Sequence, residues 1–109
     1  MNYNVIAIPK FEKELKRLAK KYPSLKKEYI ELVLSLKEEP EQGTALGNHC
    51  FKIRMAIASK GKGKSGGARV ITHIQVSHTI VYLLSIFDKS EKENLDTNEL
   101  SELLKYIPK

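Results

Sequence analysis

The stretch "FKIRMAIASKGKGKSGGARVITHI", residues 51–74, changes character twice. In its first seven positions Phe51, Ile53, Met55 and Ile57 alternate with Lys52, Arg54 and Ala56. A period of two sends the apolar set to one face of a strand, over the core, and the cations to the other. The stretch closes on a β-branched run that continues as "ARVITHIQV" (68–76), and "TIVYLLSIF" (79–87) follows after a tight "SH" connection. These two runs read as a hairpin, the second apolar at both parities as a central strand is. Between the strands, "ASKGKGKSGGAR" (58–69) holds four of the six glycines and four cations with no acid.

Charge is unevenly spread along the chain. From Gln42 through Phe87 there is no Asp or Glu, yet Lys52, Arg54, Lys60, Lys62, Lys64 and Arg69 lie there, six cations that equal the net charge of +6. Elsewhere thirteen Lys and Arg face thirteen Asp and Glu, as on solvated helix faces. An unbalanced block inside a folded chain repels itself unless a polyanion neutralises it, and nucleic acid is the obvious polyanion. The bland alternative is a mobile hairpin connection kept soluble by lysine. The cations on the neighbouring strand face favour a phosphate-binding role.

Working outward, Pro9 introduces Phe11, Leu15, Leu18 and Tyr22, and "YPS" at 22–24 stops them. Leu25, Tyr29, Leu32 and Leu36 repeat the spacing, with Ser24 as the expected N-cap, until "EEPEQGT" ends the run. Intervals of three and four make each an amphipathic helix, and the two form a hairpin. At the other end, Leu100, Leu103, Leu104 and Ile107 define a third helix capped by Asp96 or Thr97 and stopped by Pro108. The sum is an α+β chain: an N-terminal helical hairpin packed on a small twisted antiparallel sheet, then a short C-terminal helix. With 109 residues, 41% of them hydrophobic, a single domain over 1–109 is expected.

Several classes of function fall away. No apolar run approaches the roughly 20 residues of a membrane span, and "MNYNVIAIPKFEKEL" lacks the basic start of a secretion signal, so the cytoplasm is the expected compartment. Cys50 is the only cysteine, which excludes an internal disulfide. His49, His73 and His78 have no carboxylate or cysteine companions at ligand spacing, so no metal or other cofactor is expected. The Gly63-Lys64-Ser65 triplet suggests a nucleotide-binding P-loop, but Ala58 stands where that motif needs glycine, and a strand follows where it needs a helix.

The strings "FKIRMAIASKGKGKSGGARVITHI" and "VYLLSIFDKSEKENL" together resemble the HigB branch of the RelE/ParE toxins of bacterial toxin–antitoxin pairs, closely over residues 51–95. That resemblance implies the RelE/ParE-like fold and a ribosome-dependent mRNA endoribonuclease that cuts the codon in the ribosomal A site. The RNA 2′-hydroxyl would be the nucleophile, and a 2′,3′-cyclic phosphate and a 5′-hydroxyl the products. It also implies a cognate antitoxin, HigA-like and DNA-binding. Carried over by position, Arg69 is expected to stabilise transition-state charge, with Lys52, Arg54 and Lys89 as further catalytic cations. A guanidinium fork suits two oxygens of a phosphorane. Lys60, Lys62, Lys64 and Lys92 are expected to hold mRNA or ribosomal RNA backbone as point charges.

One position departs from the pattern. RelE carries a proton-transferring tyrosine where this chain has Leu95, so the general base is not assigned. His73, which shares parity with Arg69, is one candidate, a lysine another, and a purely structural histidine the competing reading. Two other functions stay open: a ParE-like inhibitor of DNA gyrase, because the ParE branch shares the fold, and a non-catalytic nucleic-acid-binding module.

Overall fold

The computed structural model describes residues 2–61, 63 and 66–108. In chain order it contains β1 (Asn4–Ala7), α1 (Pro9–Lys21), α2 (Leu25–Glu38), β2 (Thr44–Gly47), β3 (Cys50–Met55), β4 (Ala68–Gln75), β5 (Ile80–Asp88) and α3 (Thr97–Leu104). The five strands form one sheet in the order β1-β5-β4-β3-β2. From β2 to β5 the pairing is antiparallel, as expected, but β1 joins β5 in parallel, which makes the sheet mixed. Two short edge strands thus flank the three strands legible in the sequence.

The apolar spacing does its work in the core. Phe11 and Leu18 of α1 and Leu25, Leu32 and Leu36 of α2 are buried with Ile53, Met55, Val70 and most of β5. Pro9 occupies the first turn of α1, where its missing N–H has no partner to lose. Phe11 and Tyr29 bring their ring centroids within 5.8 Å and join the two helices. Every residue from Val81 to Asp88 is buried, in accord with a strand apolar at both parities. A bulge in β5 contributes: Ile71 pairs with Ser85 but Thr72 with Leu83, leaving Leu84 as an extra residue.

Helix ends follow expectation at one site and depart at another. Asp96 accepts from the Glu99 backbone N–H while the Glu99 side chain returns to the Asp96 N–H, a complete capping box for α3. Ser24 makes no cap for α2, because its backbone is itself helical. Its hydroxyl donates instead to Glu28 at 3.0 Å and accepts from the Ser59 backbone N–H at 2.9 Å. Glu28 also accepts from the Ala58 N–H at 2.7 Å. The turn of the helical hairpin is thereby bonded to the residues that leave β3.

Gly43, just before β2, has φ +92° and lies so close to β3 that a Cβ would meet the Lys52 carbonyl oxygen at 2.3 Å. Gly47 also has positive φ, +89°, but opens onto free space. Gly43→Ala is therefore expected to lower stability well beyond the roughly 1–2 kcal/mol of left-handed strain that Gly47→Ala incurs. Denaturant midpoints of the two variants, measured side by side, check the difference.

Candidate active site

Strand register assembles the cations that the sequence singled out. In the β3–β4 ladder Arg54 stands directly opposite Arg69, and Lys52 opposite Ile71. Alternation turns Lys52 and Arg54 away from buried Ile53 and Met55. Two like charges at a directly paired position destabilise a sheet, so this pairing is a local liability that an anion between the guanidinium groups would relieve. Arg69 is only 3% exposed, whereas Arg54 is exposed. Burial and the neighbouring Arg54 charge both push the Arg69 pKa below its ordinary value, and a guanidinium starts high enough to remain charged. Arg69 Nη1 donates to the Ala68 carbonyl at 3.1 Å, which fixes the plane of the fork.

Above this pair lies a cleft of about 210 Å³ lined by Lys52, Arg54, Arg69, Lys89, Glu93 and Asn94. Four of the five expected catalytic residues thus meet in one place. Lys89 reaches it because its backbone N–H bonds the Gly67 carbonyl at 3.1 Å, tying the end of β5 to the start of β4. Lys52 Nζ donates to Asn94 Oδ1 at 2.8 Å and holds the segment after β5 against β3. A second hollow of about 420 Å³, lined by Gln42, Gly43, Thr44, Lys52, Ile53 and Arg54, shares two of these cations and extends the cleft toward β2.

Residues 11–108 match the family described as the RelE toxin of the RelE/RelB toxin–antitoxin system. The chain belongs to that family. Solved RelE structures share its fold. The free form of an Escherichia coli RelE double-arginine mutant superposes with a TM-score of 0.65 at 18% identity, covering 99% of this chain and 100% of that one. The same toxin in complex with a peptide of its antitoxin RelB gives 0.52 at 21% identity, covering 99% and 100%. A RelBE toxin–antitoxin complex from Mycobacterium tuberculosis gives 0.56 at 18% identity, covering 81% of this chain and 99% of that one.

Of the remaining expected residues of this RelE-family chain, the described ones lie elsewhere. His73 pairs with Cys50, four positions along β4 from Arg69 and thus about 13 Å away. Its Nδ1 lies 3.4 Å from Cys50 Sγ, and burial holds its pKa below the usual histidine value, against the pull of a backbone bond to Asn48. His73 is outside the cleft and behaves as a strand histidine. Burial also pushes the Cys50 thiol up to about 11, so it stays protonated and unreactive. His49 and His78 are exposed, as expected. Among the described residues no cluster of ligating side chains could hold a metal ion.

Lys60 was expected to hold RNA, but its ammonium is committed inside the protein. It donates to Asp88 Oδ1 at 2.5 Å, with the Lys60 side chain 9% exposed and that of Asp88 0%. Tyr22 OH donates to the other Asp88 oxygen at 2.5 Å, and the Ser90 backbone N–H and hydroxyl bond Oδ1 at 3.0 and 2.8 Å. Burial alone would raise the Asp88 pKa, but Lys60, Tyr22 and Ser90 together hold it well below the usual carboxylate range. Lys92, also expected to meet RNA, pairs with Glu99 and lies 5.6 Å from the Phe87 ring centroid. Lys62 and Lys64 lie outside the described residues.

Sequence reasoning missed Glu93, Asn94 and the Asp88 cluster. "DKSEKENL" alternates charge as ordinary surface turns do, and nothing local marks which of its side chains line a cleft. Asp88 carried a faint signal, as the first acid after the acid-free block, directly following a buried strand.

Because the folded Asp88 pKa is depressed, its stabilisation is fully present above the unfolded value of about 3.9 and is lost as pH falls toward the folded one. The stability gap between wild type and Asp88→Asn is therefore expected to be widest above about pH 5 and to narrow in more acidic solution. Lys60→Met, which strands a buried carboxylate, is expected to cost about 3 kcal/mol near neutral pH. Urea denaturation of the three proteins between pH 3 and 7 measures both effects.

Proposed function

We propose that this chain is the toxin of a HigB-like toxin–antitoxin pair and a ribosome-dependent endoribonuclease that cleaves translated mRNA in the ribosomal A site. The observation that carries the reading is the opposed Arg54–Arg69 pair at the floor of a cleft ringed by Lys52 and Lys89. Phosphoryl transfer to an internal hydroxyl gathers charge on the equatorial phosphorane oxygens, and preorganised cations in a water-poor site are the protein's main means of stabilising it. The buried Arg69 supplies the fixed fork, and the exposed Arg54 and half-buried Lys52 meet the incoming backbone.

The attacking group on this reading is the RNA 2′-hydroxyl, so the chemistry needs orientation and proton transfer and calls for no metal. The hollow beside β2 continues the cationic track, giving the neighbouring nucleotide a place to lie. The expected partners are the ribosome with its mRNA and a cognate antitoxin, HigA-like and DNA-binding. The E. coli and M. tuberculosis relatives are themselves captured with antitoxins. An acidic or helical segment laid across the cleft would mask the same cations by charge complementarity.

Arg54 is the residue of choice for a test, because its exposure leaves the core untouched. Arg54→Ala, with an unchanged circular dichroism spectrum, is expected to slow cleavage about 10²-fold. Mapping the 5′ ends of cellular mRNA shortly after induction reads this directly. New ends within translated codons are expected for wild type and are depleted for the variant. Intact mRNA during growth arrest, with DNA damage appearing first, would move the protein to the gyrase-inhibiting class.

A further inference from the structure

The cleft contains one carboxylate among its four cations, that of Glu93. We propose that Glu93 is the general base that takes the proton from the attacking 2′-hydroxyl, an inference that rests on the ribonuclease reading above. Arginine stays protonated and lysine is ordinarily an ammonium, so the four cations favour charge stabilisation and proton donation over proton uptake. His73 lies on the far end of β4, and Leu95 is an apolar side chain packed against the core. Of the six described residues lining the cleft, Glu93 alone carries a carboxylate.

The position of Glu93 is held from both sides. The residue before it, Lys92, is paired with Glu99 on α3, and the residue after it, Asn94, accepts from Lys52 on β3. Two residues further on, Asp96 and Glu99 close the capping box that starts α3. Residue 93 is thus held between a helix start and a strand, exposed to solvent and lining the cleft that Arg54 and Arg69 also line. Such support from packed neighbours is what a proton acceptor needs to keep within hydrogen-bond reach of a substrate hydroxyl.

The step balances without any further reactant. The 2′-O–H bond breaks and its proton passes to Glu93, and the 2′-oxygen forms a bond to phosphorus. The P–O5′ bond breaks, and the departing 5′-oxygen takes a proton from the ammonium of Lys52 or Lys89. The products are a 2′,3′-cyclic phosphate and a 5′-hydroxyl, and the protein regains its starting state by exchanging protons with water.

The test is single-turnover cleavage of mRNA on programmed ribosomes by wild type, Glu93→Gln and Glu93→Asp, with ribosome affinity measured separately. Glu93→Gln is expected to cleave about 10²–10⁴ times more slowly with unchanged affinity, and Glu93→Asp to recover part of the loss. A substrate whose 5′-bridging oxygen is replaced by sulfur has a leaving group that needs no proton. The Glu93→Gln defect is expected to persist on it. An unchanged cleavage rate in Glu93→Gln would overturn the assignment and leave the ribonuclease reading intact. So would rescue by the sulfur substrate, which marks a proton donor, or a loss confined to affinity, which marks a binding role. Wild type failing to cleave would remove the ribonuclease reading, and the role of Glu93 with it.

Discussion

The buried contact between Lys60 and Asp88 is the constraint on which the rest of the arrangement depends. Asp88 ends the central strand β5, Lys60 follows β3, and Tyr22 ends α1, so one carboxylate joins three parts of the chain distant in sequence. Buried ion pairs are poor sources of net stability, since desolvating both groups offsets most of their attraction. Their use is to specify one geometry: an alternative packing that separates the pair leaves a charge buried alone. Here the specified geometry holds the segment that leaves β3 against the end of β5, where Asp88 pairs with Ala68 beside Arg69.

The opposition of Arg54 and Arg69 separates folding from function in a measurable way. Most of the core consists of local periodicities, each agreeing with the sheet it builds, which is the consistency expected of a foldable sequence. The paired arginines are the exception: Arg54 obeys the alternation of its own strand, yet the register sets it opposite a like charge. Residues that violate local rules while the surrounding structure holds them in place mark sites where stability has been given up for binding or chemistry. An anion in the cleft would return some of that stability to the folded state by linkage.

Much of this was legible before the fold was known. The two-residue alternation of 51–57 and the β-branched runs of 68–76 and 79–87 gave three strands, and the spacing of Phe11 to Leu36 gave the helical hairpin. Lys52, Arg54 and Arg69 converge because alternation and register decide which strand residues share a face, and Lys89 joins them through its backbone bond to Gly67. β1 and β2 escaped because four-residue edge strands carry too few side chains to establish a period, and β1 pairs only with a strand more than 70 residues away. In the sequence Lys60 reads like Lys62 and Lys64, and its partner Asp88 lies 28 positions away. Glu93 lay in a segment whose composition matches any solvated turn.

The distance between β1 and β5 along the chain has a consequence for the order of biosynthesis. The first strand to leave the ribosome has no partner until β5 follows it, and the cleft has no outer wall until Glu93 and Asn94 are made. Pairing of such separation is slow to form and must wait for late contacts. A partly synthesised chain therefore carries the cations of β3 and β4 without the cleft that would use them. The cleft is closed only once residues 93 and 94 have been made and have packed beside β3.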